Sequence, residues 1–281
     1  MLRGRRWEDV VEALANVKRR KPELEELLTF SEELLLAQHQ ASVRIDTGAM
    51  DDGLLRGRVL RREPLLHRWE FPIDLESAES LFRALTQLAK RRGGQVEASA
   101  AAIETALEDG RVSLPSLIKG ALAEEGYAYA VAHEHDLDPE LLQSLVEWSL
   151  HPSLEASAET LGERRKGIRW EEAICPICGS APAFAEHRGE DVTSLRFLYC
   201  SFCGFAWQFR RVGCPFCGCT DHNQLRTLFP EGDERCFLEV CEQCHRYIKT
   251  VDNRTHFGLI PEIEAMAASP LDLVARDRGY A

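Results

Sequence analysis

The sequence predicts an α+β protein in which an all-α helical domain comes first and two small four-cysteine β modules follow in tandem. Three observations carry this reading. All ten cysteines lie after residue 174, and residues 1–160 contain none. The cysteine-free part repeats its apolar residues at steps of three and four, which is the period of a helix. The cysteine-rich part alternates apolar and polar residues around its cysteine pairs, which is the period of a strand. The expected boundaries are residues 1–165 for the helical domain, 166–212 for the first module, and 213–281 for the second module with a short C-terminal helix.

The chain has 281 residues, enough for one large domain or two ordinary ones. With 44 % hydrophobic and 28 % charged residues, a packed globular protein is expected. The formal charge is −12. Residues 161–281 carry 15 Lys and Arg against 17 Asp and Glu, a net of −2, which leaves −10 on residues 1–160. Nucleic-acid binding runs on phosphate neutralisation, so so acidic a chain is expected to have no nucleic-acid partner. No apolar run approaches the roughly 20 residues needed to span a bilayer. The opening MLRGRRWEDVVEAL has no apolar signal core, so no membrane insertion and a cytoplasmic location are expected. Thiols are kept reduced there, and clustered cysteines read as metal ligands or redox thiols before they read as disulfides.

In the helical half, Leu75, Ala78, Leu81, Phe82, Leu85 and Leu88 form one stripe, with Asp74 as N-cap and Gly93-Gly94 as terminator. Asp138 before Pro139 opens a second helix, with Leu142, Leu145, Val146 and Ser149 on one face. Further helices are expected near Trp7, Glu23, Val96 and Pro115. Residues 43–68 read as a less regular connection with a turn at Asp51-Asp52-Gly53. His133 and His135 stand two apart, a spacing that does not share a helix face, so a solvated helix end is expected rather than a metal site. The arginine-rich RGRVLRRE reads as a solvated loop.

Four Cys-x-x-Cys pairs fall within seventy residues: Cys175/Cys178, Cys200/Cys203, Cys214/Cys217 and Cys241/Cys244. Such a spacing lets one tight turn aim two sulfurs at a point. Two turns supply four thiolates, a set that suits tetrahedral zinc or a single iron. Three pairs are followed by Gly, which takes the positive φ of such a turn easily, and His245 stands there in the fourth. His245 reads as the turn residue rather than as a ligand. Gaps of 21 residues between Cys178 and Cys200 and 23 between Cys217 and Cys241 look like a duplicated module. Pairing can be sequential, or cross-braced with the first turn joined to the third.

Strand signals favour the sequential form. Leu195, Phe197 and Tyr199 alternate before Cys200, and Phe205, Trp207 and Phe209 after Cys203. Cys236, Leu238 and Val240 alternate before Cys241, and Tyr247, Lys249 and Val251 after Cys244. Each later turn then tips a hairpin, as in a rubredoxin-like or zinc-ribbon-like module. One strand, GFAWQFRRVG, is left to join the two sites. Cys236 reads as a small buried residue and Cys219 as a cysteine without a metal role. Trp207 reads as core.

The order CPICGSAP, LRFLYCSFCGFAW, RRVGCPFCG, CEQCHRYIKT and LDLVARDRGYA resembles the formate dehydrogenase accessory protein (FdhE) family, most clearly over residues 170–281. EPLLHRWEFPID is similar to a segment further upstream in that family. The resemblance implies a cytoplasmic, non-enzymatic maturation factor or chaperone. It would act on the molybdenum- or tungsten-containing catalytic subunit of formate dehydrogenase, before export where that enzyme is exported. It also implies two rubredoxin-like centres, iron favoured and zinc the alternative. Carried over by position, Cys175, Cys178, Cys200 and Cys203 would hold one metal, and Cys214, Cys217, Cys241 and Cys244 the other. No phosphate-binding GxxxxGK[ST], HExxH or GxSxG motif accompanies them. Two other functions fit the same thiols: a small iron–sulfur redox carrier or thiol oxidoreductase, and a zinc-ribbon interaction module whose metals only hold the fold.

Overall fold

The computed structural model describes residues 4–48, 50–165, 167, 169–189, 194–230, 234–256 and 258–281, with the backbone alone at residue 52. They group into two compact units. One comprises Met1–Leu28, Asp52–Leu65 and Arg164–Ala281, and the other Thr29–Asp51 and Leu66–Glu163. Ten α-helices are described: α1 (Trp7–Arg20), α2 (Glu25–Gln40), α3 (Asp52–Leu60), α4 (Leu75–Lys90), α5 (Gly94–Glu108), α6 (Leu114–Ala123), α7 (Tyr127–Glu134), α8 (Pro139–Arg164), α9 (Pro261–Ala267) and α10 (Pro270–Asp277). Six strands are described: β1 (Pro182–Arg188), β2 (Leu195–Cys200), β3 (Ala206–Phe209), β4 (Leu225–Leu228), β5 (Cys236–Cys241) and β6 (Arg246–Asn253).

The all-helical unit is built on capped amphipathic helices. Asp74 Oδ1 accepts from the Ser77 N–H at 3.0 Å and starts α4, whose stripe buries Ala78, Leu81, Phe82, Leu85 and Leu88. Asp138 Oδ1 accepts from the Leu141 N–H at 3.0 Å and starts α8. That helix buries Leu142, Leu145, Val146 and Ser149 as the periodicity requires, then runs on to Arg164 through Pro152. A proline inside a helix leaves the carbonyl four residues back without its donor. Here that carbonyl is Trp148's, and the Gln38 side-chain amide donates to it at 2.8 Å. Phe30 packs against the Trp148 ring beside this contact, with centroids 5.6 Å apart. His133 is exposed at the last turn of α7, and His135 is that helix's C-cap.

The other unit centres on one six-stranded sheet of order β3-β2-β1-β6-β5-β4. It consists of two antiparallel meanders, β1-β2-β3 and β4-β5-β6, placed side by side by parallel pairing of β1 with β6. Cys236, Leu238, Val240 and Val251 pack on Ala265, Ala268, Leu271 and Ala275, so α9 and α10 cover one face of the second meander. Helix α1 joins this unit through the half-buried ion pair of Arg20 with Glu264 on α9 and through Lys21 Nζ, which donates to the Ala267 carbonyl at 3.2 Å.

Three readings of the sequence change here. The stretch expected as an irregular connection contains α3, which buries Leu55 and Val59 at helical spacing. The single strand expected to join the two cysteine groups ends at Phe209 and gives way to a bend, so the shared β1–β6 pairing is what ties the meanders together. The alternation in LRFLYC suggests Leu195, Phe197 and Tyr199 as the apolar face. The structure instead buries Arg196 and Leu198, at 2 % and 0 % exposure, as deeply as Tyr199, because β2 lies inside the sheet and is covered on both sides.

Candidate metal centres

Each Cys-x-x-Cys pair folds into the same knuckle. In the first, the Gly179 N–H donates to the Cys175 carbonyl (2.9 Å) and the Cys175 N–H to the Ser180 carbonyl (2.9 Å). In the third, the Gly218 N–H donates to the Cys214 carbonyl (3.1 Å) and the Cys214 N–H to the Cys219 carbonyl (2.8 Å). The residue after the second cysteine is left-handed in all four: Gly179 (φ 78°), Gly204 (φ 67°), Gly218 (φ 75°) and His245 (φ 54°). His245 is thus the turn residue of the fourth knuckle, and it does not belong to either sulfur group.

The β2–β3 hairpin carries Cys200 and Cys203 at its tip, and the β5–β6 hairpin carries Cys241 and Cys244. These tips face the first and third knuckles. The result is the sequential grouping: Cys175, Cys178, Cys200 and Cys203 in one cluster, Cys214, Cys217, Cys241 and Cys244 in the other, with all sulfurs of a cluster within 4.8 Å. The closest approaches run between knuckles, Cys178–Cys200 at 3.3 Å and Cys175–Cys203 at 3.7 Å in the first cluster. In the second they are Cys214–Cys244 at 3.6 Å and Cys217–Cys241 at 3.7 Å. Sulfurs bound tetrahedrally to one ion at about 2.3 Å stand about 3.8 Å apart. All four distances are far beyond a disulfide bond of about 2.05 Å. The donor set and its spacing therefore fit a tetrahedral thiophilic ion in each cluster.

Backbone donors point at the sulfurs. The Ile177 N–H reaches Cys175 Sγ at 3.4 Å, the Phe202 N–H reaches Cys200 Sγ at 3.3 Å, and the Phe216 N–H reaches Cys214 Sγ at 3.4 Å. Such bonds favour the thiolate, and in an iron centre they raise the reduction potential. Burial acts against the thiolate. It pushes the Cys175 and Cys203 thiols well up, and Cys214 up to about 12. Cys178 moves down, chiefly because Cys175, Cys200 and Cys203 donate to it. Four buried thiols do not ionise together unless a cation shares the site.

The two clusters differ in cover. All four sulfurs of the first are buried, whereas Cys217 is exposed and Cys244 half-buried in the second. The first is closed by the segment after α3: the Leu65 N–H donates to the Pro176 carbonyl at 2.9 Å, and a Cβ at Gly179 would come within 2.8 Å of Pro64. Trp207 on β3, 2 % exposed, ties down the chain leading into the first knuckle: its indole N–H donates to the Glu172 carbonyl at 3.2 Å. Cys219 and Cys236 lie outside both clusters. Cys219 is buried against Cys214 and Cys241, and Cys236 is in the core under α9.

Sequence reasoning missed a buried polar group on the sheet. Arg196 Nη2 and Glu239 form an ion pair, His187 Nε2 lies 3.3 Å from Glu239 Oε1, and the Thr250 hydroxyl donates to Glu239 Oε2 at 2.9 Å. Burial opposes ionisation of Glu239, but Arg196, His187 and Thr250 together hold its carboxyl below the usual range. The signal was present in LRFLYC and CFLEVC, each with one charged residue in an apolar strand.

Residues 174–211 match the family described as FdhE, central domain. A Protein FdhE homolog of Aquifex aeolicus is 29 % identical over 148 residues, 52 % of each chain. A Protein FdhE homolog of Stutzerimonas stutzeri is 29 % identical over 224 residues, 77 % of this chain and 62 % of the relative. The matches thus span about half to three-fifths of the length of these relatives. In fold, the chain is similar to the crystal structure of the FdhE protein from Pseudomonas aeruginosa, with a TM-score of 0.68 at 21 % identity, covering 98 % of this chain and 92 % of that one.

Proposed function

From the premise that the chain belongs to the FdhE family, we propose that it is a cytoplasmic, non-enzymatic accessory factor that binds the catalytic subunit of formate dehydrogenase and carries two four-thiolate metal centres, iron favoured. The observation that carries this reading is the pair of sulfur clusters, one of them inside the segment that matches the FdhE central domain. Cys175, Cys178, Cys200 and Cys203 would hold the first ion, and Cys214, Cys217, Cys241 and Cys244 the second. Iron in such a centre supplies one-electron chemistry, and zinc supplies only folding energy. The chain's own contribution is to fix the sulfurs, to shield the first group from water and to aim N–H donors at it. Among the described residues no helix is long and apolar enough to cross a membrane.

The test is capture of the tagged chain at native expression without oxygen, with the metals counted in the same sample. Recovery of the formate dehydrogenase catalytic subunit with about two irons per chain, bleaching on reduction, is the expected result. Two colourless zincs with the client still bound would keep the accessory role and replace iron by structural zinc. No catalytic subunit in the capture would overturn the accessory role itself.

A further inference from the structure

Beside the second sulfur cluster, on the sheet face opposite α9 and α10, lies a pocket of about 240 Å³. Its lining is dominated by guanidinium groups. Arg211, Arg226, Arg246 and Arg254 stand around a floor that contains Arg196 and His187, and Glu239 is the one acid among the described lining residues. Some of this charge has partners outside the lining: Arg226 pairs with Glu242 at 2.9 Å and Arg254 with Asp252 at 2.6 Å. Arg246 instead lies over the Phe216 ring, 3.9 Å from its centroid.

The floor carries the second observation. Arg196 is 2 % exposed and His187 7 %. Arg196 spends Nη1 on the Gly213 carbonyl at 2.7 Å and Nη2 on Glu239, yet its Nε has no partner. His187 spends Nε2 on Glu239, yet its Nδ1 has no partner. Buried polar atoms in native structures are nearly always satisfied, so two orphans on side chains that belong to the lining of one cationic pocket point to a ligand that draws them into its bonds.

We propose that this pocket binds a phosphate or pyrophosphate group, free or carried by a small molecule. Five guanidiniums outnumber Glu239 and the Glu242 and Asp252 carboxylates that pair with Arg226 and Arg254, and the net positive lining suits a multiply charged tetrahedral oxyanion better than a single carboxylate. A hydrogen phosphate offers both an O–H and free oxygens, so it can meet His187 Nδ1 in either tautomer. The volume is below the roughly 300–1,000 Å³ of ordinary ligand pockets, so the anionic group enters and the rest of any larger molecule stays outside. The inference does not depend on which metal fills the neighbouring cluster. Its rival is that the arginines only offset the negative charge of the thiolate centre.

The experiment is calorimetric titration of the metal-loaded full chain at low salt with inorganic phosphate, inorganic pyrophosphate and acetate. Saturable binding of phosphate or pyrophosphate at one per chain is expected, with acetate much weaker. Binding of inorganic phosphate itself identifies the free ion as ligand, and binding of pyrophosphate alone identifies a phosphoanhydride-bearing molecule. The double variant Arg211→Gln/Arg246→Gln should weaken binding at least about tenfold and keep its metal. Arg169→Gln should bind as the parent does, because that side chain is 88 % exposed and pairs with Glu171 away from the lining. Should the double variant lose metal, Arg226→Gln reads the same pocket from the edge strand, where its side chain is 65 % exposed. No saturable binding, acetate matching pyrophosphate, an equal loss in Arg169→Gln, or metal loss in the double variant with unchanged binding in Arg226→Gln would each overturn the assignment.

Discussion

His245 holds φ at 54° where the other three knuckles use glycine. An L-residue in that conformation is strained by about 1–2 kcal/mol, while glycine surrenders part of the relief as chain entropy. His245→Gly should therefore stabilise the second meander by about 0.5–1 kcal/mol, and His245→Val should destabilise it. Thermal melts of the metal-loaded forms check this, and a melting point lowered by glycine would mean the imidazole itself matters. Glu239 argues in the opposite direction. Its carboxylate sits between Arg196 and His187, and Glu239→Gln leaves Arg196 buried beside a neutral amide, a loss of about 3 kcal/mol. A carboxyl held below its usual range contributes stability that is fully present above the unfolded value of about 4.3 and is lost as pH falls through the lower folded value. The gap between parent and Glu239→Gln should then be constant near neutrality and close below about pH 4. Comparing the two proteins cancels the loss of metal in acid, which affects both. A gap that widened on acidification would contradict the sign of the shift.

At the scale of an element, α8 shows what the sequence could and could not tell. Asp138-Pro139 marks its start and the apolar spacing marks its face, and both hold in the structure. Its continuation through Pro152 was not legible, because the donor that replaces the missing N–H comes from Gln38, more than a hundred residues away. Gln38→Leu should destabilise the all-helical unit by about 1 kcal/mol, the low end of the penalty for an unsatisfied carbonyl because this one is part-buried. Adding Pro152→Ala should recover part of that loss, since alanine restores the N–H to Trp148. Denaturant midpoints of the four proteins in this cycle decide it, and strict additivity would refute the compensation. The β-hairpins around Cys200–Cys203 and Cys241–Cys244 were legible from alternation, but β1 and β4 were not. Strand β1 is central and has buried residues on both faces, which erases the period-two signal, and β4 is four residues long. The four knuckles were readable because a tight turn constrains neighbours in sequence. The Arg196–Glu239–His187 group was not, because register across four neighbouring strands, β2-β1-β6-β5, creates it.

For the whole molecule, the arrangement of the two clusters on one sheet sets the order in which the protein should come apart. The duplicated spacing of cysteine pairs announced two similar sites, and nothing in that spacing says that the segment around Pro64 and Leu65 closes the first and leaves the second more open. A strong chelator should therefore remove metal in two phases, the second cluster first. In the intermediate Cys217, exposed and held below the usual thiol range by the Cys219 N–H, should react first with an alkylating agent. Hydrogen exchange should follow the same order. Strands β4 and β5 lose protection in the first phase, while β2 and β3 keep theirs, with β1 the strand through which loss propagates because it pairs with β6. Cys244→Ser should reproduce this intermediate, holding one metal per chain. Cys203→Ser should also hold one metal but expose the first knuckle and the segment docked on it. Mass spectrometry of intact chains counts the metals, and peptide-resolved exchange locates the loosening. Simultaneous release of both metals, or alkylation of Cys175 before Cys217, would show that the sheet couples the clusters more tightly than their separate burial allows.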